Sequence, residues 1–141
     1  MKKNIALIGC LLLLNLSMKA QEDTIILRIV LIGDAGELTK GVHPVVDAVR
    51  KNIKLDKNTS VFFLGDNLYK VGLPNDQSSN YIKSRAILDS QLSVVEKTPA
   101  KAYMIPGNHD WENGGRGGYD AIIRQQFYVD FLRIPNVKYF P

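Results

Sequence analysis

Three short apolar segments occur along this chain, and a glycine followed by Asp or Asn comes directly or one residue after each segment. The segments span residues 24–32, 60–64 and 101–105. Each is rich in β-branched, aliphatic or aromatic residues, and the first is an almost continuous apolar run, which predicts a strand buried on both faces of a sheet. Apolar residues recur at helical spacing over 42–54, 81–96 and 119–132,. The order β-α-β-α-β-α predicts an α/β fold with a parallel sheet and right-handed crossovers.

Local chemistry predicts where two of these helices begin. Pro44 suits the first turn of the first helix, because its missing N–H has no partner there in any case,. Ser78 or Ser79 is expected to cap the second helix,.

Composition and charge exclude several classes of protein. With 141 residues, 45% apolar and 23% charged, the chain is suited to one globular domain and is neither collagen-like nor wholly disordered,. The formal net charge is +4, but leaving out residues 1–20 reduces it to +1. No nucleic-acid partner is expected at that charge.

The first twenty residues have the pattern of a secretion signal. A positive start at Lys2 and Lys3 precedes about ten apolar residues, and Ala20 is suited to cleavage before Gln21,. The apolar run is too short to cross a bilayer, which needs roughly 20 residues. We therefore expect export to the periplasm, the cell envelope or the medium. Cys10 is either removed with this segment or is lipidated, which would provide a membrane anchor.

Polar residues follow each of the three predicted strands. They lie in a first loop (residues 33–36), a second loop (65–69) and a third loop (106–110). The carboxyl ends of parallel strands share one edge of a sheet, so Asp34, Asp66, Asn108 and His109 should converge there. One Gly-Asp alone would more simply be a turn or a helix cap. Three such loops together predict a metal site, because a cation offsets the repulsion between nearby carboxylates.

The three loops together resemble the signature of the calcineurin-like metallophosphoesterase superfamily. Within it, Asp34-Ala35-Gly36 and the Gly-Asp-x-x-Tyr pattern ending at Tyr69 are closest to the purple acid phosphatase branch. The resemblance implies a four-layer α/β/β/α sandwich, of which residues 21–141 would form an incomplete, N-terminal part.

The resemblance also implies a role for each loop residue. The metal ligands would be Asp34 and Tyr69 on one metal, Asn108 on the other, and Asp66 bridging both. His109 would contact the phosphate or protonate the leaving oxygen, Asn108 would also bind substrate, and Asp110 would orient His109.

The implied chemistry is two-metal hydrolysis of phosphate esters, in which metal-activated hydroxide attacks phosphorus. Tyr69 has an ordinary pKa near 10, so its ligation at neutral pH implies a strongly acidic ion, Fe(III), in site one. Site two could hold Fe, Zn or Mn. Arg116, in a glycine-rich segment, is a weaker candidate for binding the substrate phosphate,. His43 matches no motif and is expected to be a structural or solvated histidine.

The family's two later histidine motifs do not occur, since His43 and His109 are the only histidines. We therefore expect residues 21–141 alone to be inactive or nearly so and to belong to a longer protein, whose further part is one of the two routes, beside a lipid anchor, to a membrane attachment. The alternative is a non-catalytic envelope protein that keeps the fold. A dinucleotide-binding fold is excluded, because the first turn lacks Gly-x-Gly-x-x-Gly.

Overall fold

The computed structural model describes residues 24–141. The predicted secretion signal and Cys10 lie outside the described residues. Four strands and three helices alternate along the described chain: β1 (Arg28–Ile32), α1 (Pro44–Asn52), β2 (Thr59–Phe63), α2 (Tyr81–Leu92), β3 (Lys101–Met104), α3 (Gly118–Phe131) and β4 (Val137–Tyr139). Two short 3-10 helices, Ser93–Val95 and Glu112–Gly114, precede β3 and α3.

The four strands form one parallel sheet in the order β1-β2-β3-β4. The predicted α/β class and the alternation of strands with helices are confirmed. This order brings the carboxyl ends of β1, β2 and β3 side by side. The three loops that follow them therefore start from neighbouring strands.

One face of the sheet builds the core. Ile32, Phe63, Met104 and Tyr139 are cross-strand neighbours in register, and each is at most 5% exposed. The helices supply buried side chains to the same apolar cluster, among them Val46 of α1, Leu88 of α2 and Ile122 of α3. This packing holds the helices, and the loops that lead into them, against the sheet.

The opposite face of the sheet is open to solvent in the described part of the chain. Ile29 and Leu31 of β1 are 55% and 62% exposed, so the prediction that this strand is buried on both faces is wrong for residues 24–141. The physical reason is topological: with strands in consecutive order, crossovers of one hand place every helix on the same face. Phe62 and Tyr103 stack on the open face, with ring centroids 4.9 Å apart.

Most element boundaries differ from the predictions by one to four residues, and two differences have a structural explanation. β1 begins at Arg28 rather than residue 24, because its partner β2 begins at Thr59, the residue in register with Arg28. α2 has Asn80 at its N-cap position, with no side-chain hydrogen bond, so neither Ser78 nor Ser79 caps it. Within residues 24–141, no helix is both long enough and apolar enough to cross a membrane.

Candidate metal centre

The first and second loops meet through Tyr69. Its hydroxyl donates a hydrogen bond to Oδ1 of Asp34 at 2.7 Å and lies 3.5 Å from Oδ2 of Asp66. One phenolic oxygen therefore touches carboxylates from two different loops. Of the four residues predicted to converge, Asp34 and Asp66 are thus brought together, with the Tyr69 hydroxyl between them.

The electrostatics of this cluster favour an added positive charge. The hydrogen bond to Asp34, burial and the negative charges of Asp34 and Asp66 raise the pKa of Tyr69 to about 12. Without a cation the phenol therefore keeps its proton, which it shares with Asp34. A multiply charged ion would replace that proton and neutralise the two carboxylates.

Asp34 and Asp66 share an uncommon backbone conformation. Their φ angles are +53° and +52°, in the left-handed region that residues other than glycine rarely adopt,. Each follows a glycine at the end of a strand, and the two aspartates have nearly the same φ angle although the preceding glycines differ. Such strained residues cluster at functional sites, where the surrounding structure holds them.

Gly36 makes room for Tyr69. A Cβ atom at residue 36 would lie 2.7 Å from the carbonyl oxygen of Asp66, and 2.8 Å and 2.9 Å from N and Cδ2 of Tyr69. The second loop can therefore press against the first only because residue 36 has no side chain.

The third loop adds His109 and Asn108. The backbone N–H of His109 donates to Oδ1 of Asp66 at 3.0 Å, and its ring packs edge-on against Tyr69, with centroids 4.7 Å apart. Nδ1 of His109 lies 3.0 Å from the carbonyl oxygen of Lys70. A carbonyl oxygen only accepts, so this contact places a proton on Nδ1. The side-chain nitrogen of Asn108 donates to Asn113 at 2.7 Å, so its side-chain oxygen is the atom that could bind a cation.

Asp110 has a different position from the one expected. Its carboxylate is fully buried and accepts hydrogen bonds from the backbone N–H groups of Asn67, Leu68 and Gly107 and from Nδ2 of Asn67. Burial raises its pKa, whereas these donors act in the opposite direction. Asp110 thus fastens the second loop to the third, and the carbonyl of Lys70 makes the contact with His109 that was predicted for Asp110.

Two buried polar residues that the sequence analysis did not identify as part of the site support the loops from behind. Gln91 of α2 is fully buried, and its Nε2 donates to the carbonyl oxygens of Ala35 and Asn67, each at 2.7 Å. His43, 4% exposed, is the N-cap of α1, and its Nε2 lies 2.9 Å from the same carbonyl of Ala35. His43 is therefore structural, as expected. Gln91 had one sequence signal, since it is a polar residue beside Leu88 and Leu92 on the apolar face of a helix.

Arg116 makes none of these contacts. It is exposed in the segment between Glu112–Gly114 and α3, and its side chain makes no hydrogen bond or ion pair with the rest of residues 24–141. The structure thus gives no support to its predicted role in substrate binding.

The donors that the loops bring together fit a hard cation in their chemistry. Within the described range, no three side chains of His, Cys, Asp and Glu come together as a metal site. The cluster instead combines the carboxylates of Asp34 and Asp66 with the phenol of Tyr69, and the amide of Asn108 lies in the adjoining loop. Oxygen donors of these kinds suit hard or borderline cations.

A comparison with known families identifies the domain. The family model of the calcineurin-like phosphoesterases matches residues 27–140. No curated protein and no solved structure shows a significant match to the chain.

Proposed function

Because the chain belongs to the calcineurin-like phosphoesterase family, we propose that it acts as a phosphoesterase of the purple acid phosphatase type. Members of this family are metal-dependent and typically use a dinuclear centre. The observation that carries this proposal is the contact of the Tyr69 hydroxyl with Asp34, 2.7 Å, and its approach to Asp66, 3.5 Å. A tyrosine oxygen between two carboxylates is a donor set for a strongly acidic cation. We assign Asp34, Asp66 and Tyr69 to site one, and Asp66 and Asn108 to site two.

The two cations, when bound, supply activation of water and neutralisation of charge on the phosphoryl oxygens. The chain's own residues orient the reactants. Asp66 accepts a hydrogen bond from the backbone N–H of His109. That bond fixes the third loop relative to the shared carboxylate, so a phosphate ester bound at the site would lie beside the His109 ring.

His109 is proposed as the proton donor to the leaving oxygen. Its Nδ1–H is held by the carbonyl of Lys70 at 3.0 Å, and this contact leaves Nε2 as the nitrogen that can transfer a proton.

Site one is proposed to hold Fe(III), because Tyr69 would lose its proton only to a strongly acidic ion. Site two is proposed to hold Fe, Zn or Mn, and the substrates are phosphate esters. The two later histidine motifs of the family do not occur in the sequence, whose two histidines have other roles: His43 caps a helix, and His109 is proposed as the proton donor.

A titration with Fe(III), supplied as its nitrilotriacetate complex, tests site one. The probe is visible charge-transfer absorption from phenolate to iron, recorded on the protein as the cell produces it. We expect the band in the wild type and its loss in Tyr69→Phe. Tyr103→Phe is the matched control, because Tyr103 lies on the open sheet face. A wild type without the band, or a band that survives Tyr69→Phe, would contradict the assignment.

The reaction is tested with the metal-loaded protein as the cell produces it, and not with residues 21–141 alone, on a set of phosphate monoesters and diesters. We expect phosphate release that depends on added metal and that falls in His109→Ala. Absence of hydrolysis across the set would favour the non-catalytic alternative.

We also propose that the protein is exported. The support is the sequence of residues 1–20, a positive start, an apolar run and Ala20 before Gln21,. Mass spectrometry of the protein from the periplasm or medium should find a chain that begins at Gln21. A lipid-modified chain that begins at Cys10 would instead indicate a membrane anchor.

A further inference from the structure

The carbonyl groups that follow the two candidate carboxylate ligands are held by one side chain. Asp34 is followed by Ala35, and Asp66 is followed by Asn67. Nε2 of Gln91 donates to both of these carbonyl oxygens, each at 2.7 Å. An amide nitrogen carries two hydrogens, so Gln91 uses its full donor capacity on the two loops.

The two loops share two features around Gln91. Asp34 and Asp66 have φ angles of +53° and +52°, and in each case the carbonyl of the next residue accepts from Gln91. Gln91 is fully buried and belongs to α2, whose neighbours Leu88 and Leu92 are in the core. The amide therefore has little freedom to move.

Further contacts and the burial of neighbouring residues also fix the inner side of the two loops. The Ala35 carbonyl also contacts Nε2 of His43 at 2.9 Å, so two helices fix one loop carbonyl. Ala35 and Asn67 are buried, whereas Asp34 is exposed and Asp66 half-buried. Each loop is thus anchored on its inner side and presents its carboxylate on the outer side.

We propose that Gln91 is a positioning residue, which sets the separation of the Asp34 and Asp66 carboxylates before a metal ion binds. This role rests on the proposed function, because it assumes that both carboxylates bind the same metal ion. Gln91 is not proposed as a metal ligand, because its amide holds two backbone carbonyls and acts on the carboxylates through them. Residues that orient metal ligands in this way raise affinity by removing the cost of ordering the ligands.

Gln91→Met tests the proposal, because methionine is of similar size and donates no hydrogen bond. Gln91→Glu is the second variant, since at neutral pH a carboxylate would face two carbonyl oxygens without a donor. Ile87→Val is the matched control, being a buried change on the same helix that leaves both carbonyl contacts in place. All are made in the protein as the cell produces it.

The first measurement is Fe(III) affinity, by competition with nitrilotriacetate. We expect Gln91→Met and Gln91→Glu to bind roughly 10- to 100-fold more weakly than the wild type, and Ile87→Val to bind as the wild type does. If the wild type binds and Gln91→Met binds equally well, the positioning role is overturned and the metal site stands. If the wild type binds no metal, the proposed function fails and the positioning role fails with it.

The second measurement needs no metal. Amide hydrogen exchange of the metal-free proteins should be faster in residues 33–36 and 65–69 of Gln91→Met than in the wild type, and unchanged there in Ile87→Val. Unchanged exchange in both loops would overturn the proposal, as would a change of equal size in the control. If Gln91→Met does not fold, the same two measurements on Gln91→Asn, which keeps the amide but is one methylene shorter, decide the question.

Discussion

The ring of Tyr69 occupies the space that a side chain at residue 36 would need. A Cβ atom placed on Gly36 would lie 2.9 Å from Cδ2 of Tyr69, with two backbone atoms of the second loop closer still. Residue 36 therefore cannot carry a ligating side chain while Tyr69 stands where it does. Gly36 and Tyr69 therefore depend on each other. The first loop carries no ligating side chain at residue 36, and the second loop supplies the tyrosine oxygen as the donor instead.

Gly36→Ala should displace Tyr69 and the second loop. Overpacking of this kind costs about 1–3 kcal/mol of unfolding free energy, and the loss of the Tyr69 position should abolish the iron charge-transfer band. Gly33→Ala is the control, because a Cβ there would meet nothing within 4 Å. Urea unfolding measures both changes, and equal stability of the two variants would contradict the steric argument.

Tyr69 should titrate late in the metal-free protein. Its pKa is raised to about 12, above the ordinary value of 10, with the hydrogen bond to Asp34 as the main cause. The neutral phenol is favoured in the folded state, so its contribution to stability is complete below pH 10 and is lost as the pH rises to about 12,. The ultraviolet difference spectrum between wild type and Tyr69→Phe follows this titration, and Asp34→Asn should bring it back towards 10.

Asp110→Asn should destabilise the protein. The wild-type carboxylate accepts from three backbone N–H groups, and an amide would turn a donor towards some of them. Leaving buried donors unsatisfied costs about 1–3 kcal/mol. Asp76→Asn, an exposed aspartate, should change stability by less than about 0.5 kcal/mol,. If Asp110→Asn instead altered only the pH profile of hydrolysis, the role predicted from the sequence, orienting His109, would be restored.

Residues 21–141 produced alone should be inactive or nearly so. His43 and His109 are the only histidines of the sequence; His43 is used at the N-cap of α1, and His109 is proposed as the proton donor rather than as a metal ligand. We expect weak binding of a second ion and little turnover in a zinc or iron titration with a phosphate ester. Robust turnover would refute this expectation.

Much of this architecture could be predicted because it follows from periodicity. Apolar runs give β1, β2 and β3, helical spacing gives the three helices, and parallel strands bring Asp34 and Asp66 to one edge. β1 was predicted too long, because an apolar run does not reveal that its partner starts only at Thr59.

The buried contacts that hold the loops of the site could not be predicted in the same way. Asp110 follows His109 in the chain, but its carboxylate turns inward to the second loop, a choice that depends on tertiary packing. Gln91 is separated by 56 residues from Ala35, so its contact could not be inferred from local spacing. The left-handed φ angles of Asp34 and Asp66 likewise depend on loop closure, since aspartate adopts them only when its surroundings require it,.

The left-handed conformations of Asp34 and Asp66 oppose folding stability, whereas their carboxylates are needed for the proposed metal binding. Each holds a conformation that costs on the order of 1–3 kcal/mol, and together they place two negative charges beside one phenol,. Glycine or asparagine at either position would relieve part of that cost. A screen for heat resistance alone would therefore be expected to replace these aspartates, and a screen for metal uptake to retain them.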